Sequence, residues 1–270
     1  MFKTKSVLKG ESTMVKTFLC VLVIIVFIPC IGFAQKDVTL ELEGRWWWTD
    51  LKGKMKVTDS NGIGTDIDLT DDLGIKDEGW PELRLTWYTG KNSRIRIAYT
   101  QVDYDGDANI QKTILFDGTT YDVGTRVVTE LDIKYASLGW AWQFINIGNG
   151  FFKLGTLIEA KGFWTEATLE APDLATPIKE KEKFTFVLPT IGAALDINPH
   201  KMLNIFAEGS GLYAGNYGYM YDVEAGVKLI PIKILSIMGG YRLLEFKAKD
   251  DPNFVKVRVH GPFVGVTVRF

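Results

Sequence analysis

The sequence predicts an all-β protein, a closed antiparallel up-and-down transmembrane β-barrel of about ten strands, with eight or twelve as the alternative counts. Three observations predict this fold. Apolar and polar residues alternate over long stretches, the connections between these stretches alternate in length, and aromatic residues gather near their ends. The 270-residue chain fits one such domain, and its 27 glycines and 13% aromatic content suit strands joined by tight turns.

The alternation places successive side chains on opposite faces of a strand. In the segment 219–229, Val223 and Val227 share one face, whereas Glu224 and Lys228 share the other. One face suits lipid and the other suits water or a polar interior. The stretches with this pattern are 38–50, 80–89, 93–105, 126–145, 151–168, 183–196, 201–214, 219–230, 232–247 and 255–270.

The connections between these predicted strands fall into two sets. Long polar connections are predicted at 51–79, 106–125, 169–182 and 248–254, and short ones at 89–92, 146–150, 198–200 and Pro231. The two kinds alternate along the chain, and only the short turn 214–218 breaks the order. Short turns at one end and long loops at the other are typical of an up-and-down barrel in a membrane.

Aromatic residues lie toward the predicted strand ends, as at Trp46–Trp48, Trp87, Trp140 and Phe151. Amphipathic rings favour the membrane interface, where an apolar body meets a wet edge. The alternative is the core of a β-sandwich. The charged residues on the opposite face of the same strands favour the barrel, because a sandwich must cover its apolar face with a second sheet.

The N-terminal segment 1–34 is predicted to be a signal peptide. Its apolar core, Phe18–Ile31, follows four lysines and is about 14 residues long, whereas a membrane-spanning helix needs about 20. Small residues at Gly32 and Ala34 predict cleavage after Ala34, which leaves 35–270 as the barrel domain. Both cysteines, Cys20 and Cys30, lie in the removed segment, so no disulfide is expected in the mature chain.

N-terminal sequencing of the mature protein should therefore begin at Gln35. Translation starts at Met1 or at Met14, since Met14 followed by Lys16 would begin a signal peptide of ordinary length. A mature protein that retains either methionine at its terminus would contradict the predicted cleavage.

The last residues carry a family resemblance. In Phe263–Phe270, Val264, Val266 and Val268 alternate with small or polar residues, and the chain ends on phenylalanine. This segment resembles the C-terminal assembly signal of bacterial outer-membrane β-barrel proteins. The resemblance implies an outer-membrane location and insertion by the barrel assembly machinery, with membrane lipids and lipopolysaccharide as the expected partners.

Just before this terminal run, the valines change from odd-numbered to even-numbered positions. Val255, Val257 and Val259 occupy odd positions, whereas the terminal valines occupy even positions. A β-bulge inserts one extra residue and would shift the facing in this way. We therefore expect a bulge at Gly261–Pro262.

The face opposite the apolar one carries charges of both signs. A barrel of this size has a narrow lumen, and buried charges there must pair and hydrogen-bond. They would either form a polar plug that holds the barrel in shape or line a thin selective pathway. The residues predicted to face the lumen are Glu41, Glu43, Arg45, Glu82, Arg84, Arg94, Arg96, Asp132, Lys134, Lys153, Glu159, Lys161, Glu208, Asp222, Glu224, Lys228, Arg242, Lys256 and Arg258.

Two weaker candidates for chemistry remain. His260 is the better placed of two histidines for catalysis, but no serine or carboxylate stands at a spacing typical of a hydrolytic site. Asp103, Asp105 and Asp107 resemble the opening of a calcium loop without its later glutamate. There are two alternatives to a calcium loop. The aspartates either form a solvated acidic segment or share divalent ions with lipopolysaccharide headgroups.

Other classes are excluded by composition. A formal net charge of −2 offers no basic face for binding nucleic acid. The sequence contains no glycine-rich phosphate loop that precedes a helix, so nucleotide binding is not expected and no cofactor is predicted. We expect a noncatalytic outer-membrane protein that has a structural role or presents surface loops. A narrow porin-like channel for small solutes and a hydrolase that uses His260 are the alternatives.

Overall fold

The computed structural model describes residues 39–56, 58, 63–116, 119–174 and 177–270. The predicted signal peptide and its cleavage site lie outside these residues. Among the described residues, no helix is long and apolar enough to cross a membrane.

The described elements are almost all strands, with one short 3-10 helix at Gly215–Tyr217. The strands are β1 (Leu40–Trp48), β2 (Asp50–Lys56), β3 (Ile67–Asp68), β4 (Gly79–Gly90), β5 (Ser93–Asn109), β6 (Ile114–Phe116), β7 (Thr119–Tyr121), β8 (Arg126–Ile147), β9 (Phe152–Ala171), β10 (Ile178–His200), β11 (Leu203–Tyr213), β12 (Gly218–Ile232), β13 (Leu235–Asp250) and β14 (Asn253–Arg269).

Ten of these strands form a closed barrel in which each pairs antiparallel with its neighbours in the order β1-β4-β5-β8-β9-β10-β11-β12-β13-β14, and β1 pairs with β14. Strand β2 extends β1 along the same partner without a change of register, because Trp47 lies opposite Phe263 and Asp50 lies opposite His260. The predicted ten-stranded up-and-down barrel is confirmed.

The two ends of the barrel differ in their connections. We call turn end the one that carries the short connections 91–92, 148–151, 201–202 and 233–234, together with Phe270, and loop end the opposite one. At the loop end, the segment 110–125 carries the hairpin β6–β7, and part of 63–78 fills the gap beside β2 through β3 and a bridge between Ile75 and Gly106.

The predictions of long loops at 169–182 and 248–254 are wrong. Strand β9 continues to Ala171 and β10 begins at Ile178, and only residues 251–252 separate β13 from β14. The strands therefore extend beyond the apolar part of the wall. There the outer face is charged, as at Lys181 and Lys183, so the sequence resembles a polar loop although the backbone stays paired.

The outer wall carries an apolar band bordered by aromatic residues. On β13 the outward side chains from Leu235 to Leu243 are apolar or Tyr241, and the next outward residue is Glu245. This nine-residue span matches the 9–11 residues that a tilted strand needs to cross a bilayer. The exposed bordering rings include Trp87, Trp142 and Phe144 toward the turn end and Trp48, Tyr99, Trp164 and Tyr241 toward the loop end.

The predicted bulge at Gly261–Pro262 is also wrong. The pairing of β14 with β13 keeps one register from Leu235 opposite Val268 to Asp250 opposite Asn253. A Cβ at Gly261 would clash with the carbonyl oxygen of Trp48, so glycine is needed for the close approach of the strands. The parity change has a different cause, which lies in the composition of the interior.

Candidate functional site

The interior toward the turn end contains a set of charged side chains that we call the charged layer. It holds fourteen of the nineteen residues predicted to face the lumen, all except Asp132, Lys134, Lys153, Lys256 and Arg258. Its cations are Arg45, Arg84, Arg94, Arg96, Lys161, Lys228, Arg242 and Arg269, and its anions are Glu41, Glu43, Glu82, Glu159, Asp196, Glu208, Asp222 and Glu224.

Eight cations therefore face eight anions. Sequence reasoning did not include Asp196 and Arg269, although both continue the inward alternation of β10 and β14. Because the two signs balance in number, the layer can satisfy its own charges without an external ion.

Glu224 on β12 connects opposite walls of the barrel. Its carboxylate accepts hydrogen bonds from the Arg84 guanidinium on β4 at 2.9 and 2.8 Å and from Arg45 Nη1 on β1 at 3.0 and 2.9 Å. Each arginine also pairs with a glutamate on its own strand, Glu82 for Arg84 and Glu43 for Arg45. The side chain of Glu224 is only 5% exposed, so these bonds are shielded from water.

A second bridge runs through Arg242 on β13. Its guanidinium donates to Asp222 on β12 at 2.9 and 2.8 Å and to Glu82 on β4 at 2.7 Å. Asp222 also accepts a 2.6 Å hydrogen bond from Lys161 on β9. Strands on all sides of the lumen are therefore joined at this level by charge-assisted hydrogen bonds.

Above the charged layer, the interior toward the loop end is apolar. We call this set the apolar layer, and its largest buried members include Trp47, Leu51, Trp80, Tyr104, Tyr135, Phe163, Met220, Leu244, Val259 and Phe263. Leu69, Leu73 and Ile75 from the 63–78 segment pack into it. The layer is the hydrophobic core of the loop half of the barrel.

Aromatic contacts cross the lumen within this layer. Phe186 stacks between Phe163 and Phe246, with ring centroids 5.0 Å apart on each side, and this row reaches from β9 and β10 to β13. The two layers meet at Arg242, whose guanidinium carbon lies 4.8 Å from the Trp47 ring centroid. Such cation–π contacts let a charged group border an apolar core.

The cavities in the lumen shrink away from the turn end. Two cavities of about 20 and 50 Å³ lie in the charged layer. A water molecule needs about 10–15 Å³, so each holds a few waters at most. A larger cavity of about 180 Å³, which we call the basal vestibule, lies at the turn end. Its lining residues are Tyr88, Lys91, Asn92, Ser93, Arg94, Gln143, Lys153, Asp196, Asn198, Asn204, Lys228, Ile230 and Arg269.

Comparison with known proteins places this architecture. No protein-family model matches the chain, and no curated protein matches it in sequence. Among solved structures, the outer membrane protease OmpT from Escherichia coli superposes with a TM-score of 0.58 at 9% identity, over 89% of this chain and 99% of OmpT. The fold is that of the bacterial outer-membrane β-barrels. The translocator domain of the autotransporter NalP from Neisseria meningitidis gives a TM-score of 0.51 at 9% identity, over 97% of this chain and 98% of that domain.

In this outer-membrane barrel fold, polarity inverts along long strands such as β8 and β14, although the facing does not change where it inverts. On β8, outward residues are apolar in the band, as at Leu138, but charged beyond it, as at Lys134, while Tyr135 lies inside. Outside the lipid the outer wall contacts water, and the interior becomes a hydrophobic core. This inversion accounts for the parity change in β14.

The inversion also corrects four predicted lumen residues. Asp132, Lys134, Lys256 and Arg258 lie on the outer wall of the loop half. Arg258 is 44% exposed and pairs with Glu245 on the neighbouring strand. The prediction assumed that charge means inside along the whole strand, which holds only where the wall faces lipid.

His260 lies on the outer wall as well. Its Nδ1 is 2.8 Å from the hydroxyl oxygen of Tyr241, and its Nε2 is 3.9 Å from a carboxylate oxygen of Asp50. All three side chains lie beside the apolar band, and no serine or cysteine is among these partners. This geometry gives no support to a hydrolytic site at His260.

The three aspartates of the calcium-loop candidate occupy alternate outward positions on β5 rather than a loop. Asp107 accepts hydrogen bonds from Arg126 at 2.9 and 2.6 Å, which lower the pKa of its carboxyl. Asp103 lies opposite Asp132 of β8, and burial together with this neighbour raises the pKa of Asp132. Asp105, the third aspartate of the candidate, lies between Asp103 and Asp107 on the same outward face. Within the described ranges, no group of three His, Cys, Asp or Glu side chains is arranged to hold a metal ion.

Proposed function

We propose that this protein is a noncatalytic outer-membrane barrel with a closed lumen, which serves a structural role in the envelope and presents its loop end at the cell surface. The turn end then faces the periplasm, as short turns do in bacterial barrels of this kind. The observation that supports the proposal is that two different sets of side chains, the charged layer and the apolar layer, lie one after the other along the lumen.

The charged layer favours a plug over a pathway. A channel lining exposes its charged groups to mobile ions and water, whereas Arg84, Arg242 and Glu224 are at most 5% exposed at their side chains. Arg84 bonds to Glu224 across the lumen, and Arg242 bonds to Glu82 on the opposite wall. Guanidinium–carboxylate pairs that share several hydrogen bonds fix the distance between walls. They therefore support a role in holding the barrel in shape.

The apolar layer adds an independent barrier. An ion that passed the charged layer would have to leave its water before entering a core built around Trp47, Trp80 and the Phe163–Phe186–Phe246 row. Transfer of an unpaired charge into such surroundings is strongly unfavourable. This second barrier supports a closed barrel more directly than the salt bridges do.

Planar bilayer recordings test the proposal. The wild-type protein should insert without producing stable conductance steps. Opening one layer, by Arg84→Ala with Glu224→Ala or by Phe186→Ala with Phe246→Ala, should leave the other layer to block ions. Only the four-residue combination should conduct.

Insertion of each variant is checked by its change in gel mobility on heating, which reports a folded barrel. Stable ohmic steps from the folded wild-type protein would contradict the proposal and favour the narrow channel. Conductance from either two-residue variant alone would show that the two layers do not close the lumen independently.

A further inference from the structure

The basal vestibule carries an unusual balance of charge. Five cationic side chains line it, Lys91, Arg94, Lys153, Lys228 and Arg269, and Asp196 is its single anionic lining residue in the described structure. Its volume of about 180 Å³ exceeds that of a single water by more than tenfold. The remaining lining residues are mostly hydrogen-bonding side chains, among them Asn92, Ser93 and Asn204.

Three of these cations already have partners in the charged layer. Arg269 pairs with Glu41 at 2.8 Å, Lys228 lies 3.6 Å from Glu41, and Arg94 pairs with Glu208 at 3.0 Å. Because the layer contains equal numbers of cations and anions, its charges are balanced before the vestibule lysines are counted. Lys91 and Lys153 are therefore positive charges in excess.

Asp196 does not compensate them. One of its oxygens accepts a hydrogen bond from Gln143 Nε2 at 2.8 Å, and the other accepts one from Asn204 Nδ2 at 3.2 Å. Arg94 lies 3.5 Å from the same carboxylate. Lys153 lies opposite Asp196 in the strand pairing, yet it makes no ion pair within 4.0 Å in the described chain, and neither does Lys91.

We infer that the basal vestibule is a binding site for a phosphate group, with Lys91 and Lys153 as the two cationic arms and the side-chain amide of Asn92 as a further donor. Ammonium groups with no protein partner, in a recess lined by donors, are suited to a compact oxyanion. The oxyanion is either free phosphate or the headgroup of a phospholipid at the turn end of the wall, since both offer the same oxygens.

Isothermal titration calorimetry on the full mature chain in a nonionic detergent separates these sources. Inorganic phosphate and the short-chain lipid dihexanoylphosphatidylglycerol are titrated separately at low salt, because screening weakens exposed charge interactions. The wild-type protein should bind at least one of the two probes. Lys91→Gln with Lys153→Gln should weaken that binding about tenfold or more, and each single substitution should weaken it less.

Two control variants define the result. Lys52→Gln with Lys54→Gln removes the same charge from exposed positions on the outer wall and should leave binding unchanged. Lys91→Arg with Lys153→Arg keeps the charge and should retain binding.

Absence of binding by both probes to the wild-type protein, or equal loss in the outer-wall control, would overturn the inference. Neither outcome bears on the bilayer recordings, because a vestibule at the mouth does not require the lumen to be open or closed.

Discussion

Replacement of Glu224 by alanine is expected to lower the free energy of unfolding by about 3–5 kcal/mol, the cost of removing one partner from a buried ion pair. The carboxylate of Glu224 is the shared acceptor of Arg45 and Arg84, and neither arginine has access to bulk water in its place. Glu82 and Glu43 would remain beside them. The substitution would leave one excess positive charge in the charged layer and a void between the walls.

Urea titration of protein folded into lipid vesicles, followed by tryptophan fluorescence, measures this loss. Glu224→Gln keeps the shape but removes the charge and should retain most of the destabilisation. Glu166→Ala is the matched control, because Glu166 also pairs with two cations, Lys181 and Lys183, but on the exposed outer wall. Those hydrogen bonds lower the pKa of Glu166 to about 2, yet exposed pairs contribute little to stability. Equal midpoints for Glu224→Ala and Glu166→Ala would show that the charged layer does not hold the barrel together.

The partners of Glu224 illustrate what alternation predicts and what it leaves open. The two-residue period predicts Glu224 inside and Val223 outside on β12, where Glu224 is 5% and Val223 46% exposed. On sequence grounds, Arg242 and Lys228 are the nearby cations on the same face, but Glu224 bonds to Arg45 and Arg84, 179 and 140 residues away. Pairing across a lumen depends on strand tilt and closure, and neither leaves a mark in local sequence.

The apolar layer was missed for a related reason. The rule that apolar residues lie outside and polar residues inside holds only within the apolar band, and strands such as β8 and β14 extend beyond it. The valines at 255, 257 and 259 carried the signal, because their parity matches Phe263 and opposes Val264. With a constant register, that pattern means that the interior changes from polar to apolar, and no bulge is needed.

The basal vestibule could not be predicted from the sequence at all. Lys153 belonged to the predicted inward set, but whether it has a partner depends on every other charge in the lumen. Lys91 lies in a short turn, where a lysine is ordinarily a solvated residue. Only the full set of pairings shows that the charged layer next to the vestibule is balanced and that these two ammonium groups are in excess.

An arginine at Val227 tests the membrane band itself and should cost about 2–4 kcal/mol of folding free energy in lipid. Val227 is 41% exposed on the outer wall and lies beside Ile205 and Gly239 of the neighbouring strands. It is near the middle of the apolar band on β12, between Leu229 and Val223. Its charge would have to enter hydrocarbon or move to the interface, and both are unfavourable.

Depth along the wall provides the controls, since the penalty for a cation falls to about 0–1 kcal/mol near the interface. Val223→Arg lies closer to Tyr221 at the loop-side border and should cost less than Val227→Arg. Thr185→Arg, on the outer wall opposite Trp164, lies at the border and should cost least. Unfolding titrations in vesicles should therefore rank the three variants in that order. In detergent micelles, which are less ordered than a bilayer, the differences between their free energies of unfolding should be smaller. Three equal penalties, or a harmless arginine at Val227, would mean that this band does not lie in lipid and would remove the main support for a membrane-spanning wall.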